Sequence, residues 1–211
     1  MEKKESIREN RNKEISNEIQ LLKKYYNYKN IILHSITTAK IAEKIARKIK
    51  EKNPKLRINL EEIRKAALLH DIDKALTLKK NYKKALLVCK NLGITKSKIK
   101  HGVLGAEILK REGLKKYSKI CSQHPFYKIL SKSKKPIEFK IIYYADKIAG
   151  DGRLVDINKK IRVWIKRYNI KESEIKRLKR ALLEFKKIEQ ELMNKTGLNK
   201  KDFYEMLKNS L

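Results

Sequence analysis

Cysteine, proline, glycine and tryptophan are scarce in this 211-residue sequence, with 2, 3, 7 and 1 residues respectively. The two cysteines, Cys89 and Cys121, lie far apart and form no Cys-x-x-Cys motif, which argues against a disulfide framework and a thiolate zinc site. We expect both to be reduced and packed in the interior. Because glycine and proline supply most tight turns, their scarcity disfavours an all-β fold and favours helices.

Long apolar runs are also absent, and no stretch approaches the roughly 20 residues that a membrane-spanning helix needs. The first residues, Met-Glu-Lys-Lys-Glu, lack the apolar segment of a signal peptide. These absences predict a cytoplasmic protein without a membrane span. The 41% of hydrophobic residues is nevertheless enough for the core of one domain of ordinary size.

Acidic residues are outnumbered, because 55 lysines and arginines face 24 aspartates and glutamates and give a formal net charge of +31. A charge of this size attracts phosphate-rich partners such as nucleotides, RNA or anionic lipid. Lysine far exceeds arginine, however, and this is also typical of a compositional bias that spreads lysine over every surface. Nucleic-acid binding and compositional bias both stay open as interpretations.

Apolar residues recur every three or four positions along most of the chain, which is the period of one helix face. Asn59 with Glu62 three residues later has the chemistry of a helix N-terminus. Breaks are predicted at Gly93, Gly113 and Pro125, and no alternation typical of strands is present. The sequence predicts an all-α bundle, with helices over roughly residues 3–25, 30–50, 59–74, 81–91, 101–111, 114–123, 136–149, 158–167 and 172–194.

Four histidines and two aspartates stand where these helical stripes would otherwise carry apolar residues, and they include every histidine of the sequence. A buried carboxylate or imidazole is costly unless it is paired, hydrogen-bonded or metal-bound. Neutral imidazole with carboxylate suits Fe, Mn, Co, Ni or Zn. Six ligands exceed the needs of one four-coordinate ion but suit two ions that share a bridge. The predicted metal ligands are His34, His70, Asp71, His101, His124 and Asp146.

The motifs around these residues resemble those of the HD-domain superfamily of metal-dependent phosphohydrolases. The matching segments are His34-Ser35, the run from Leu68 to Lys74, the run from His101 to Ala106, His124, and the run from Ile141 to Lys147. The two additional histidines are similar to those of dinuclear members, such as the YqeK-type symmetrical diadenosine tetraphosphate hydrolases and the HDIG proteins. The resemblance implies an all-α HD-domain helical bundle over residues 30–160. The helical patterns outside it predict an N-terminal helical extension over 1–29 and basic C-terminal helices over 161–211 that pack on the domain or a partner.

The resemblance also implies two divalent transition-metal ions, Fe or Mn before Co, Ni or Zn, in two sites bridged by Asp71. The first ion would be held by His34, His70, Asp71 and Asp146, and the second by His101, His124 and Asp71. Relatives usually have glycine or alanine where this chain has Asp73. A regular helix places Asp73 about 200° around from Asp71, so we expect its side chain to face away from the metals.

Two basic residues are candidates for contact with a substrate phosphate. Lys74 lies three residues after Asp71 on the predicted helix face, so its ammonium could reach a phosphate, although an ordinary helix-end lysine is the alternative. Arg153 follows the Gly150-Asp151-Gly152 turn and could bind phosphate or be a surface arginine. Catalytic roles are assigned to Asp71 and Lys74, and phosphate binding to Lys74 and Arg153.

The leading hypothesis is a hydrolase that cleaves a phosphoester or phosphoanhydride of a nucleotide-type substrate. Two ions would lower the pKa of a bridging water, so that hydroxide attacks in line with the leaving group. Two alternatives stay open: a di-iron oxygenase, as some relatives are, and an RNA-binding protein whose HD site processes RNA or is vestigial. Tyr25, Tyr26 and Tyr28 lie among lysines, but no RNA-recognition motif accompanies them.

Overall fold

The structure of the protein, a computed structural model, describes residues 16–211, with the side chains at 167 and 168 outside the description. Within that range helices and turns build the fold, and an isolated bridge between Ala149 and Leu154 is the only pairing of extended segments. The predicted all-α class is confirmed. The described helices are 16–24 (α1), Lys29–Lys52 (α2), Leu60–Leu69 (α3), Tyr82–Leu92 (α4), Val103–Arg111 (α5), Ser118–Gln123 (α6), Ile137–Ile148 (α7), Ile157–Tyr168 (α8), Glu172–Thr196 (α9) and Lys200–Lys208 (α10).

Local sequence explains several helix boundaries. The Asn59 side chain accepts a hydrogen bond from the Glu62 N–H at 3.1 Å, as the N-cap prediction requires. Gly93 ends α4 in the left-handed conformation, with φ of 63°. An Asn199 N-cap, which accepts from the Asp202 N–H at 3.0 Å, begins α10. The periodicity did not predict α10, because a helix of nine residues shows few repeats of its apolar face.

Two boundaries differ from the prediction at the places that carry site residues. The helix predicted over 59–74 ends at Leu69, and residues 70–77 form turns. The helix predicted from 101 begins at Val103, because Gly102 has φ of 80° and is not helical. The predicted N-terminal helix over 3–25 lies partly outside the described residues, of which 16–24 are helical.

A distant asparagine explains why α3 ends early. The Asn27 side chain donates from Nδ2 to the Ile72 carbonyl at 2.8 Å and accepts the Ala75 N–H at 3.3 Å. It therefore satisfies backbone groups that would otherwise belong to the helical ladder, and such side-chain bonds compete with helix formation. A residue from the turn before α2 thus overrides the helical pattern of the sequence after Leu69.

Helix α2 runs through the bundle and packs along α3 and α7, while α9 and α10 also contact it. Its inward face carries Ile41, Ile45 and Ile49, which recur every four residues and are fully buried. Both cysteines are free and buried, as predicted. Among the helices of residues 16–211, none is both long enough and apolar enough to cross a bilayer.

Helices α9 and α10 are anchored on α7 through aromatic residues. Tyr144 stacks on Phe185 with ring centroids 5.1 Å apart and contacts Phe203 at 5.9 Å. The hydroxyls of Tyr144 and Tyr204 both donate to the Glu189 carboxylate, at 2.9 and 2.6 Å. The C-terminal helices therefore share a core with α7, which carries one of the predicted ligands.

Removal of the Phe185 ring should destabilise the protein strongly. The side chain is 1% exposed, and a Phe→Ala change in a packed core costs about 3–5 kcal/mol because a cavity remains. Urea denaturation of Phe185→Ala should show this loss. Leu183→Ala on the same helix is the matched control, since Leu183 is 60% exposed and such changes usually cost less than about 0.5 kcal/mol. Equal losses in the two variants would contradict the proposed anchoring.

Candidate metal centre

All six residues predicted as metal ligands lie around one point in the bundle. Three overlapping groups among the described residues have ligand atoms within 4.8 Å of one another and could hold a metal ion. The groups are His34 with His70 and Asp71, His70 with His124 and Asp146, and Asp71 with His101 and His124. The structure thus brings together residues that are spread over more than half of the chain.

Only two of the six lie inside helices, which corrects the prediction that each belongs to a helical stripe. His34 is part of α2 and Asp146 is part of α7. The other four lie at helix ends or in turns: His70 and Asp71 follow α3, His101 precedes α5, and His124 follows α6. Turn backbone lets neighbouring side chains point to one place, which the fixed 100° rotation of a helix does not allow.

Asp71 lies between two halves of the cluster. Its Oδ2 is 3.9 Å from His34 Nε2 and 3.6 Å from His70 Nε2. Its Oδ1 is 3.2 Å from His101 Nε2 and 3.0 Å from His124 Nε2. One carboxylate therefore turns one oxygen to each half, which is the arrangement of a bridging ligand.

Three of the four imidazoles have a fixed tautomer, because Nδ1 of each faces an atom that can only accept. The partners are the Ala67 carbonyl for His70 at 2.7 Å, the Cys121 carbonyl for His124 at 2.6 Å, and Asp73 Oδ1 for His101 at 2.9 Å. Nδ1 must donate in each case, so Nε2 of the neutral ring carries the lone pair. Metal-binding histidines in proteins are usually oriented in this way, by a hydrogen bond from the ring nitrogen that does not bind the metal.

The Nε2 atoms converge with few donors among them. Among the described residues, the buried His70 Nε2 makes no hydrogen bond of regular geometry, and it lies 3.5 Å from Asp146 Oδ1. His124 Nε2 lies 3.0 Å from His101 Nε2. Buried acceptors that face one another are unfavourable unless a cation lies among them. The donor set of imidazole and carboxylate fits divalent transition-metal ions.

The electrostatic environment of His124, His34 and Asp71 favours the protonation states that bind metals. Burial lowers the pKa of His124 to about 4 and also lowers that of His34. Burial acts to raise the pKa of Asp71, but the charges of Lys74 and His70 outweigh it and hold that pKa well below the usual range. Neutral imidazoles beside an ionised carboxylate are ready-made ligands.

Carboxylates next to the other two histidines attract positive charge. Burial acts to lower the pKa of His101, but Asp73 outweighs it and raises the pKa to about 9. The pKa of His70 is raised because the charges of Asp71 and Asp146 likewise outweigh burial. The cluster as a whole therefore attracts cations, and bound metal would compete with protons at these two rings.

Asp73 contacts a predicted ligand, although the helical wheel placed it on the side away from the metals. The side chain is fully buried and contacts a predicted ligand, since Oδ1 accepts from His101 Nδ1. Oδ2 accepts from the backbone N–H groups of Gly102 at 2.7 Å and Gly105 at 2.9 Å. Asp73 belongs to none of the groups that could hold an ion; it holds His101 from behind. A helical wheel does not describe the direction of the Asp73 side chain, because residues 70–77 form turns and not a helix.

The two glycines beside His101 allow this close approach. A Cβ on Gly105 would lie 2.4 Å from Cys121 Sγ and 3.1 Å from Asp73 Cγ. A Cβ on Gly102 would lie 2.8 Å from the Cys121 carbonyl oxygen. Side chains at these positions would therefore push apart the segments that carry His101 and His124.

The two predicted phosphate-binding residues differ in their distance from the ligands. Lys74 Nζ lies 3.8 Å from Asp71 Oδ1 and 3.2 Å from His101 Nε2, so its ammonium touches the cluster. Arg153 is exposed and lines the cavity that opens from the cluster. Both residues face the cavity, but only Lys74 contacts predicted ligands.

Two further lysines, to which the sequence assigned no role, contact Asp146. Lys147 Nζ pairs with Asp146 Oδ2, which leaves Oδ1 at 3.2 Å from His34 Nε2. Lys160 Nζ donates to the Asp146 and Ala149 carbonyls at 3.1 and 3.0 Å, at the end of α7. Burial lowers the pKa of Lys160 to about 8. The sequence could have indicated a role for Lys147, because it directly follows Asp146. Nothing in the sequence distinguishes Lys160 from the many other lysines.

A cavity of about 830 Å³ opens from the cluster and has the size of a small-molecule site. It passes between α8, the start of α2 and the segment after His124. Its basic lining consists of Lys74, Lys147, Arg153, Lys159 and Lys160. Such a wall suits an anionic ligand.

A family model described as the HD domain matches residues 31–151, more than half of the chain. The protein belongs to the HD-domain family. This family consists mostly of metal-dependent hydrolases, and the matched HD-domain segment contains all six clustered residues. Searches of the curated proteins and of the solved structures found no match.

Proposed function

We propose that this HD-domain protein is a phosphohydrolase with two divalent transition-metal ions, Fe or Mn, that cleaves a phosphoester or phosphoanhydride of a nucleotide-type substrate. The observation that carries the proposal is the Asp71 carboxylate, whose two oxygens face the Nε2 atoms of two separate histidine pairs. This arrangement supports the resemblance to the dinuclear YqeK-type hydrolases. The basic cavity lining supports a phosphate-bearing substrate.

Two bound ions would supply an acidified water at neutral pH and bind phosphate oxygens for in-line displacement. The residues of the chain fix where this happens. Asp71 joins the two halves, while Lys147 pairs with one oxygen of Asp146 and so orients the other toward His34. Lys74 would bring its ammonium to a phosphate bound at the cluster and stabilise the charge that develops there.

Phosphate release with defined metals tests the proposal. The purified protein, stripped with a chelator and reloaded with Mn or Fe(II), should bind two ions per chain and release phosphate from nucleotides. The chelated protein should release almost none, because the ligands alone cannot activate water. Elemental analysis and a phosphate-release screen over mono- and dinucleotides measure both quantities. One ion per chain at full activity would contradict the two-ion proposal.

The same assay separates the two alternatives. Phosphate release under strict anaerobiosis would exclude an oxygen-dependent reaction, whereas oxygen uptake without phosphate release would replace the proposal with the oxygenase. RNA binding is tested across salt, because affinity that depends on charge alone falls steeply as salt rises. Tight binding of one RNA at physiological salt, without nucleotide hydrolysis, would favour the RNA-binding alternative.

A further inference from the structure

The cavity has two chemically different ends. One end is the metal centre, and the other is formed by α8 and by the segment that follows His124. Helix α8 turns one face to the cavity, since its lining residues recur at spacings of three and four. They are the N-cap Asp156 and, within the helix, Lys159, Lys160, Val163 and Trp164.

Aromatic side chains meet at this second end. Trp164 contacts Phe126 edge to face, with centroids 5.7 Å apart. Phe126 is buried and its carbonyl accepts from the Tyr143 hydroxyl at 2.8 Å, so this wall is held in place. Trp164 and Tyr127 are only partly buried and both line the cavity. Arg177 lies over the Tyr127 ring at 4.8 Å from its centroid, and Lys160 Nζ lies over the Trp164 ring at 5.8 Å. The rings therefore offer a ligand the aromatic surface that these cations leave open.

Apolar residues extend the surface around Trp164, which is only partly buried. Val163, which is 44% exposed, and Ile170 add apolar surface beside it. An apolar pocket with aromatic walls and a basic rim suits a flat heteroaromatic ring that is attached to an anion.

The aromatic end lies close to the metal centre. Phe126 is two residues after His124, so their Cα atoms are at most about 7.6 Å apart. Lys160 lies between the metal centre and the aromatic end of the cavity. Its Nζ is 3.1 Å from the Asp146 carbonyl oxygen and 5.8 Å from the Trp164 ring centroid. One ligand can therefore place a phosphate at the cluster and a ring at Trp164.

We infer that Trp164 and Tyr127 form a subsite that binds the aromatic base of the substrate. This inference rests on the proposed function for the position of the phosphate, but the rings bind a base without it. Stacking of a base on an aromatic side chain is tolerant of base identity. The subsite thus selects nucleotides as a class over aliphatic phosphates and discriminates weakly among bases.

The fluorescence of Trp164 tests the subsite directly, because Trp164 is the only tryptophan of the chain. Adenosine and guanosine, which carry no phosphate, should quench it saturably in the chelated full-length protein, whereas ribose should not. Tyr127→Leu should weaken nucleoside binding about fivefold or more, since one stacking contact is lost. Tyr82→Leu is the control, because Tyr82 is a half-exposed aromatic residue on α4 outside the cavity.

Turnover provides a second test that does not use fluorescence. Trp164→Leu should lower kcat/KM for a nucleotide about fivefold or more while leaving kcat/KM for glycerol phosphate unchanged. Circular dichroism checks that both variants fold, and calorimetry with adenosine replaces the quenching assay for Trp164→Leu. The inference is overturned if nucleosides quench no more than ribose, or if Tyr127→Leu binds them as tightly as Tyr82→Leu. Nucleoside binding without hydrolysis of any phosphate would instead overturn the proposed function and leave the subsite standing.

Discussion

Replacement of Asp71 by asparagine is expected to abolish almost all phosphate release. The amide keeps the size of the side chain but has one oxygen, so it cannot face both histidine pairs with an acceptor, as Asp71 does at 3.0–3.9 Å. Loss of an outer partner of a ligand typically costs about 10- to 100-fold in activity. Loss of the bridging ligand itself should exceed that and reach the order of a thousandfold.

Metal content and turnover should fall together in Asp71→Asn. Elemental analysis should find fewer than two ions per chain, and steady-state phosphate release measures the rate. Asp202→Asn makes the same chemical change at the first turn of α10, remote in sequence from the cluster, and should keep both ions and the full rate. An Asp71→Asn variant that retains two ions and more than a tenth of the rate would exclude Asp71 as the bridge.

The sequence predicted the parts of the fold that depend on local periodicity. Ile41, Ile45 and Ile49 repeat on one face of α2 and are buried there, because a period near 3.6 requires a helix that packs on one side. The Asn59 cap was predictable because its partner, Glu62, is three residues away in the chain. Both features depend on residues that are near one another in sequence.

Features that depend on distant residues were not predictable in the same way. Asn27 bonds the backbone of the segment after α3 and competes with the helix that the pattern favours, so His70 and Asp71 lie in turns. His101 lies outside α5 because Gly102 has a positive φ. The residue types identified the cluster because few side chains suit buried metals. The positions of Lys147 and Lys160 required the tertiary fold, because lysine is too frequent in this chain to mark a site.

Asp73 has the largest consequence among the residues whose contacts the sequence did not predict. Its carboxylate accepts three hydrogen bonds, from His101 Nδ1 and from the backbone of Gly102 and Gly105. This fixes the tautomer and orientation of His101 and binds the start of α5 to the segment after α3. A carboxylate here thus couples the second half of the candidate metal centre to the packing of the helices that carry it.

Asp73→Asn should therefore weaken the second half of the centre selectively. The amide has one accepting oxygen for three donors and turns its own N–H₂ group toward one of them, so a buried donor is left without a partner at a cost of about 1–3 kcal/mol. His101 would lose the acceptor that holds its Nδ1. Calorimetric titration with Mn should then show one ion bound as in the natural protein and the other about 10- to 100-fold more weakly.

Two readouts distinguish loss of His101 orientation from general destabilisation. Saturating Mn should restore much of the turnover of Asp73→Asn, since the ligands themselves remain, whereas it should not rescue His101→Ala, which lacks a ligand. If Asp73→Asn only lowers the stability of the fold and leaves His101 in place, the variant should bind both ions with unchanged affinity at temperatures below its melting temperature. That result would show that Asp73 serves the packing of Gly102 and Gly105 alone, because the metal affinity would then be independent of the hydrogen bond to His101.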